Sequence, residues 1–157
     1  METFYNKLLE YIHKHTMLKN LIMIFCNYFP YITISLYPCI LIYSYIYKSD
    51  ILISVLLRPL LAFIFVTFFR KIINRPRPYE AMNITPLKQH KKGESFPSRH
   101  TLSAFVIAFA CLEVNLYLGL FAVIVAVFIS LSRILAGVHY ISDVITAIII
   151  ATVFYFI

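Results

Sequence analysis

Five apolar stretches run along the chain, separated by short polar breaks and one long one. They cover residues 21–47, 51–69, 100–114, 116–134 and 140–157. A helix that crosses about 30 Å of hydrocarbon needs about 20 mostly apolar residues, and all but the short third stretch come close to that length. The pattern predicts an all-α fold, a polytopic membrane helical bundle with about five transmembrane helices.

The N-terminal segment, residues 1–19, has a different pattern. Charged residues such as Lys7 and Glu10 alternate with apolar ones such as Leu8 and Ile12 at helical spacing. This mixture is typical of an amphipathic helix that lies at the membrane interface. We expect residues 1–157 to form a single membrane-embedded domain. The first apolar stretch either crosses once or forms a re-entrant pair at Pro30, and the pattern leaves both open.

Composition and charge exclude several classes of protein. The chain has 157 residues, of which 61% are hydrophobic and 13% charged, against roughly 45–50% and 25% in a soluble domain. Its three cysteines are isolated within apolar stretches, which does not indicate a disulfide scaffold or a zinc site. The formal net charge is +7, and eight of the 14 Lys and Arg residues lie in 70–99. This loop has only Tyr79 and Phe96 as stacking groups, so we do not expect nucleic acid to bind.

Two polar segments far apart in sequence are expected to meet on one membrane face. The third and fourth apolar stretches lie between the 70–99 loop and the turn at 133–141, one leading away from that face and one returning. The ionisable residues of the two segments would then share one site, and ionisable groups at the ends of spans indicate function by default.

Three short motifs in these segments suggest chemistry on an anion. In the first, Arg70 precedes the stiff run Arg75-Pro76-Arg77-Pro78, whose guanidinium groups suit phosphate oxygens. The second motif is Pro97-Ser98-Arg99-His100, and the third is Ser132-Arg133 followed by His139 and Asp143. A helix that starts at Ser98 offers an anion site, although a simple helix cap would have the same sequence.

His139 and Asp143 are four residues apart, so they share one face of a helix. The carboxylate can accept the imidazole N–H and fix the tautomer of the ring. A lone histidine at the end of a span would more often be structural, but this one accompanies a second histidine, an aspartate and several arginines.

Together the motifs resemble those of the type 2 phosphatidic acid phosphatase superfamily, also called the acid phosphatase/vanadium haloperoxidase superfamily. Its pattern is K-x6-R-P, then P-S-G-H, then S-R-x5-H-x3-D. The third motif is complete here, whereas Arg70 stands in place of the usual Lys and Arg99 in place of the usual Gly. The resemblance covers about residues 51–157.

The resemblance implies a role for each motif residue. His139 would be the nucleophile that forms a phosphohistidine, Asp143 would orient it, and His100 would protonate the leaving oxygen. The residues that would hold the phosphate oxygens are Arg70, Arg77, Ser98, Arg99 and Arg133. No cofactor and no metal are expected, and the sequence has no acidic cluster of the kind that binds magnesium.

The expected activity is metal-independent hydrolysis of a lipid phosphomonoester or diphosphate in a bacterial cell membrane. Candidate substrates are undecaprenyl diphosphate, phosphatidylglycerol phosphate and phosphatidic acid. The alternatives are a membrane protein that binds an anionic lipid or solute without turnover, and an inactive relative whose pocket Arg99 fills. The excess of Lys and Arg predicts a cytoplasmic site, whereas relatives that act on envelope lipids face outward, so the sequence leaves both the sidedness and the oligomeric state open.

Overall fold

Helices form almost all of the chain's regular structure. The computed structural model describes residues 2–89 and 91–157, and no strand occurs among them. The helices are α1 (Glu2–Lys14), α2 (Thr16–Asn27), α3 (Phe29–Tyr47), α4 (Leu52–Ile73), α5 (Pro78–Ala81), α6 (Arg99–Val114), α7 (Leu116–Leu135) and α8 (Ile141–Phe156).

Helix α6 is the centre of the bundle and packs against α3, α4, α7 and α8. Small buried residues such as Ala104 and Ala108 allow its neighbours to approach closely. At its far end Asn115 ends α6 and caps α7, accepting a hydrogen bond from the Leu118 amide at 3.0 Å. Gly119 follows, where an added Cβ would lie 2.5 Å from the Leu112 Cα. The tight α6–α7 connection therefore requires glycine at this position.

Three helical runs among the described residues are long and apolar enough to cross a membrane, namely Thr16–Tyr47, Leu52–Ala81 and Leu116–Leu135. Many large apolar side chains on these runs are exposed, as expected of surfaces that face lipid. The predicted all-α membrane fold is confirmed. Helices α6 and α8 have 16 residues each, or about 24 Å of rise, so the count of about five spanning helices stays a prediction.

Helix α3 crosses the bundle once. Near its start, the Cys26 carbonyl accepts a hydrogen bond from Arg133 at 2.6 Å. Beyond its end, the Lys48 amine donates to the Val114 carbonyl at 2.8 Å, at the opposite end of α6. Pro30 lies in the first turn of α3, where its missing N–H costs nothing. The re-entrant alternative at Pro30 is therefore wrong.

Two predicted boundaries were wrong. The amphipathic helix ends at Lys14 rather than at residue 19, because His15 has the non-helical angles φ −111° and ψ 88°. Helix α4 continues past residue 69 to Ile73, so Arg70 lies in its last turn, where a cation is favoured by the helix dipole.

The apolar face of α1 contacts protein. Tyr5, Leu9 and Ile12 are buried against the 82–87 segment and the 134–138 turn. Its buried face covers the end of the bundle where the motifs lie. The position of this helix at the membrane interface stays a prediction.

Candidate active site

The site is built around a histidine and an aspartate at the start of α8. Asp143 lies in the first turn of that helix, and its Oδ2 is 3.2 Å from the Nδ1 of His139. The Tyr140 amide donates to the same oxygen at 3.0 Å. Since Nδ1 is engaged by Asp143, Nε2 is the ring nitrogen that can act on a ligand.

Burial keeps His139 neutral. The imidazole lies between α7 and α8 and is only 2% exposed, and this burial lowers the pKa of His139 to about 4 despite the opposing effect of the Asp143 hydrogen bond. At neutral pH the ring is uncharged, which is the form that a nucleophile needs.

Two residues that the sequence reading did not assign to the site also hold Asp143. The Ser95 hydroxyl donates to Oδ2 at 2.5 Å, and Arg75 Nη1 donates to Oδ1 at 2.9 Å. The same Arg75 nitrogen donates to the Ser142 hydroxyl at 2.9 Å, and its guanidinium lies 3.9 Å from the centroid of the Tyr140 ring. Arg75 lies within the first motif and Ser95 lies two residues before the second, and this closeness to the motifs is the only sequence signal that could have found them.

A cationic pocket opens beside His139 with a volume of about 130 Å³. Its lining residues are Arg70, Arg77, Lys91, Lys92, Gly93, Glu94, Arg99, His100 and His139. A water needs about 10–15 Å³ of such space, so the pocket accommodates a group of several atoms. Five cationic side chains face one carboxylate there, which favours an anionic ligand.

Two arginines are fixed in the pocket wall by carbonyl groups. Arg70, in the last turn of α4, donates to the Pro97 carbonyl at 2.5 Å. Arg77 donates to the Val138 carbonyl at 3.1 Å through Nη1 and to the Lys91 carbonyl at 3.1 Å through Nε. These bonds join the α4 end, the loop and the His139 turn, so three distant segments meet at one site.

Arg99 and His100 begin α6 at the pocket wall. Arg99 is exposed, and its guanidinium carbon lies 5.9 Å from the centroid of the Phe63 ring on α4. His100 lines the pocket on the same helical turn. The predicted second motif therefore reaches the pocket through these two side chains.

Ser98 and Arg133 lie outside the set of described residues that line the pocket. Ser98 is the N-cap of α6, and its oxygen accepts bonds from the Thr101 amide at 3.4 Å and the Thr101 hydroxyl at 3.1 Å. Its backbone amide donates to the Asp143 carbonyl at 3.0 Å, which ties α6 to α8. Arg133 is buried and donates to Cys26.

Some arginine nitrogens in this region lack partners. Within the described residues, Nε of Arg70 and both Nε and Nη1 of Arg133 are buried without a hydrogen bond. Unsatisfied buried donors are rare and call for an explanation, and an anion is a ligand that would supply acceptors. No group of three or more His, Cys, Asp or Glu residues suited to a metal occurs among residues 2–89 and 91–157.

The fold and the site together define a helical membrane protein with a histidine–aspartate pair beside an arginine-lined pocket. The family model of the PAP2 superfamily matches residues 50–157, and the chain belongs to this superfamily. The resemblance drawn from the three motifs is thereby confirmed.

Two curated relatives share about half of this chain. Undecaprenyl-diphosphatase BcrC of Bacillus subtilis is 37% identical over 78 residues, 50% of this chain and 40% of that protein. Lipid A 1-phosphatase of Rhizobium etli is 37% identical over 83 residues, 48% of this chain and 35% of that protein. The matched region thus spans less than half of either relative.

Solved structures share the fold over nearly the whole chain. The crystal structure of Aquifex aeolicus LpxE superposes with a TM-score of 0.76 at 24% identity, covering 98% of this chain and 91% of that one. The PAP2-type phosphatidylglycerolphosphate phosphatase from Bacillus subtilis gives 0.59 at 21% identity, covering 98% and 90%. These likenesses extend over α1 and α2, which precede the region matched by the family model.

Proposed function

We propose that this protein is a lipid phosphate phosphatase that works through a phosphohistidine, without a metal. The observation that carries the proposal is the buried, neutral His139 held by Asp143 at the wall of a cationic pocket. A protein that only binds an anionic lipid would need the arginines, but it would not need a neutral histidine held by an aspartate. The names of the relatives, which include an undecaprenyl-diphosphatase and a lipid A 1-phosphatase, agree with the proposal.

In the first step Nε2 of His139 attacks phosphorus, and the bond from phosphorus to the leaving oxygen breaks. His100 gives its proton to that oxygen, so the product leaves as an alcohol or as a lipid monophosphate. The Nδ1–H of His139 stays on the ring, and Asp143 stabilises the positive charge that the ring acquires. Positioned proton transfer of this kind contributes about 10²–10⁴-fold to a rate.

In the second step a water attacks the phosphohistidine. His100, now neutral, takes a proton from the water, phosphate leaves Nε2, and both histidines return to their starting states. Arg70 and Arg77, together with the backbone amide of Arg99, would hold the non-bridging oxygens, where charge builds in the transition state. The unsatisfied Nε of Arg70, which lines the pocket, supports its part in this cradle. Arg133 lies outside the pocket lining, and its two unsatisfied nitrogens are the reason to keep it as a candidate phosphate-binding residue. The oxygen of Ser98 is the acceptor in both hydrogen bonds with Thr101. The hydroxyl hydrogen of Ser98 takes no part in these bonds, so Ser98 could donate it to a phosphate oxygen.

The substrate class follows from the surroundings of the pocket. The pocket lies at the end of a bundle whose outer surface is apolar, so a phosphate on a lipid can reach it while the hydrocarbon stays in the bilayer. We propose undecaprenyl diphosphate, phosphatidylglycerol phosphate and phosphatidic acid as substrates to test, a bacterial cell membrane as the location, and all 157 residues as one multi-pass domain.

Phosphate release by the purified protein in detergent tests the proposal. Each of the three lipids is offered in the presence of EDTA, to the wild type, His139→Ala and His15→Ala. His15 is exposed at the α1–α2 junction and is the matched control. We expect turnover that survives EDTA and His15→Ala but is lost in His139→Ala. Lipid binding without any turnover would favour the non-catalytic alternative, and inhibition by EDTA would refute the metal-free mechanism.

A further inference from the structure

Three carbonyl groups of the turn that carries His139 accept hydrogen bonds from separate parts of the chain. The Ala136 carbonyl accepts from the Leu87 amide at 3.0 Å, and the Val138 carbonyl accepts from Arg77 at 3.1 Å. The carbonyl of His139 itself accepts from the Tyr5 hydroxyl at 3.1 Å. The last bond acts on the main chain of the proposed nucleophile.

Tyr5 comes from a helix that carries no motif and precedes the region of the family match, residues 50–157. It is 134 positions away from His139 in sequence, and the two residues are 1% and 2% exposed. Burial raises the pKa of Tyr5 to about 12, so the hydroxyl keeps its hydrogen at any working pH. Tyr5 is therefore the donor in a buried hydrogen bond to the main chain of His139.

Helix α1 also packs directly on the same turn. An added Cβ at Gly137 would lie 3.1 Å from the Leu9 Cδ1, and Gly137 has φ +73°, which favours glycine. At the start of the helix, the Glu2 carboxylate accepts a hydrogen bond from the Asn83 amide at 3.3 Å. Packing and hydrogen bonding thus hold α1 against both the His139 turn and the segment that contains Asn83.

We propose that Tyr5 is a positioning residue for His139, so that α1 contributes to the geometry of the active site. The inference rests on the proposed function, since it assigns Tyr5 to the alignment of the attacking nitrogen. Fixing the His139 carbonyl fixes the direction in which its side chain leaves the turn. Nucleophilic attack is sensitive to displacements of about 1 Å, so a looser turn lowers the rate of attack while the arginines still bind phosphate.

The test compares Tyr5→Phe with Tyr11→Phe. The first change removes one buried hydroxyl and keeps the ring, whereas Tyr11 is exposed on the same helix and is the matched control. The full chain in detergent is assayed for kcat, for KM on a lipid that the wild type hydrolyses, and for inhibition by inorganic phosphate. Amide hydrogen exchange over residues 134–142 is measured by mass spectrometry on the same samples.

For Tyr5→Phe we expect kcat to fall about fivefold or more, while KM and the inhibition constant of phosphate stay within about twofold. Exchange over 134–142 should become faster in this variant only. An unchanged kcat would overturn the positioning role. A variant that loses kcat, inhibition by phosphate and thermal stability together would overturn it as well. If the wild type hydrolyses none of the lipids, the proposed function fails, and the exchange measurement still decides whether Tyr5 holds the turn.

Discussion

Replacing Asp143 with asparagine tests how the carboxylate orients His139. The two carboxylate oxygens have separate tasks, since Oδ2 contacts Ser95, the Tyr140 amide and His139, while Oδ1 accepts from Arg75. An amide has one oxygen and one NH₂ group. The better orientation in Asp143→Asn places the oxygen at the Oδ2 position and turns the NH₂ group toward Arg75, donor against donor.

The size of the effect follows from the lost charge. A hydrogen bond to a charged group contributes about 1.5–3 kcal/mol, against about 0.5–1.5 kcal/mol for a neutral one. The imidazole of His139 becomes positive as it bonds to phosphorus, so the missing charge matters most in the transition state. A loss of about 1–2.5 kcal/mol corresponds to a kcat about five- to 70-fold lower, and we expect His139→Ala to lose more.

Initial rates of phosphate release from the best lipid give the measurement. Asp50→Asn removes the same charge from an exposed position before α4 and is the matched control. Thermal unfolding in detergent checks that each variant is folded. Wild-type kcat in Asp143→Asn, or a loss as large as in His139→Ala, would refute the assignment of Asp143 as the group that orients the nucleophile.

Three further predictions concern the surroundings of this pair. Because burial lowers the pKa of His139 to about 4, the acid limb of kcat/KM that it controls should lie near pH 4, and a limb near its ordinary value of 6.5 in the pH profile would contradict this. Arg75→Gln should lower kcat by about two- to fivefold, because this side chain is partly exposed and its ion pair with Asp143 is therefore weak. Arg75→Lys should fall in between, and a kcat equal to that of the wild type would show that Asp143 needs no help from Arg75. Arg99→Gly should leave phosphate release intact or raise it, because the backbone amide remains, and a loss as large as in His139→Ala would show that the Arg99 side chain itself contacts phosphate.

The helical membrane fold and the family could be predicted from sequence because each rests on local patterns. Apolar stretches of spanning length predicted the helices, and three spaced motifs predicted the PAP2 superfamily. The four-residue spacing of His139 and Asp143 was enough to place them on one helical turn, at 3.2 Å.

The surroundings of Asp143 depend on the path of the chain, which the local pattern does not contain. Ser95 and Arg75 reach it from a loop, across 48 and 68 positions of sequence. The role of α1 was equally hidden, since an apolar face that packs on protein has the same periodicity as one that lies on a membrane. Only the tertiary structure shows that Tyr5 and Leu9 of this face contact the His139 turn.

Rapid quenching tests whether His139 carries the phosphoryl group during turnover. The wild type is mixed with a hydrolysable lipid phosphate in the presence of EDTA, quenched in base within one turnover, digested and analysed by mass spectrometry. We expect an acid-labile, base-stable phosphate on the peptide that contains His139, and none on that peptide in His139→Ala. Turnover without this adduct, or with the phosphate on another residue, would contradict it.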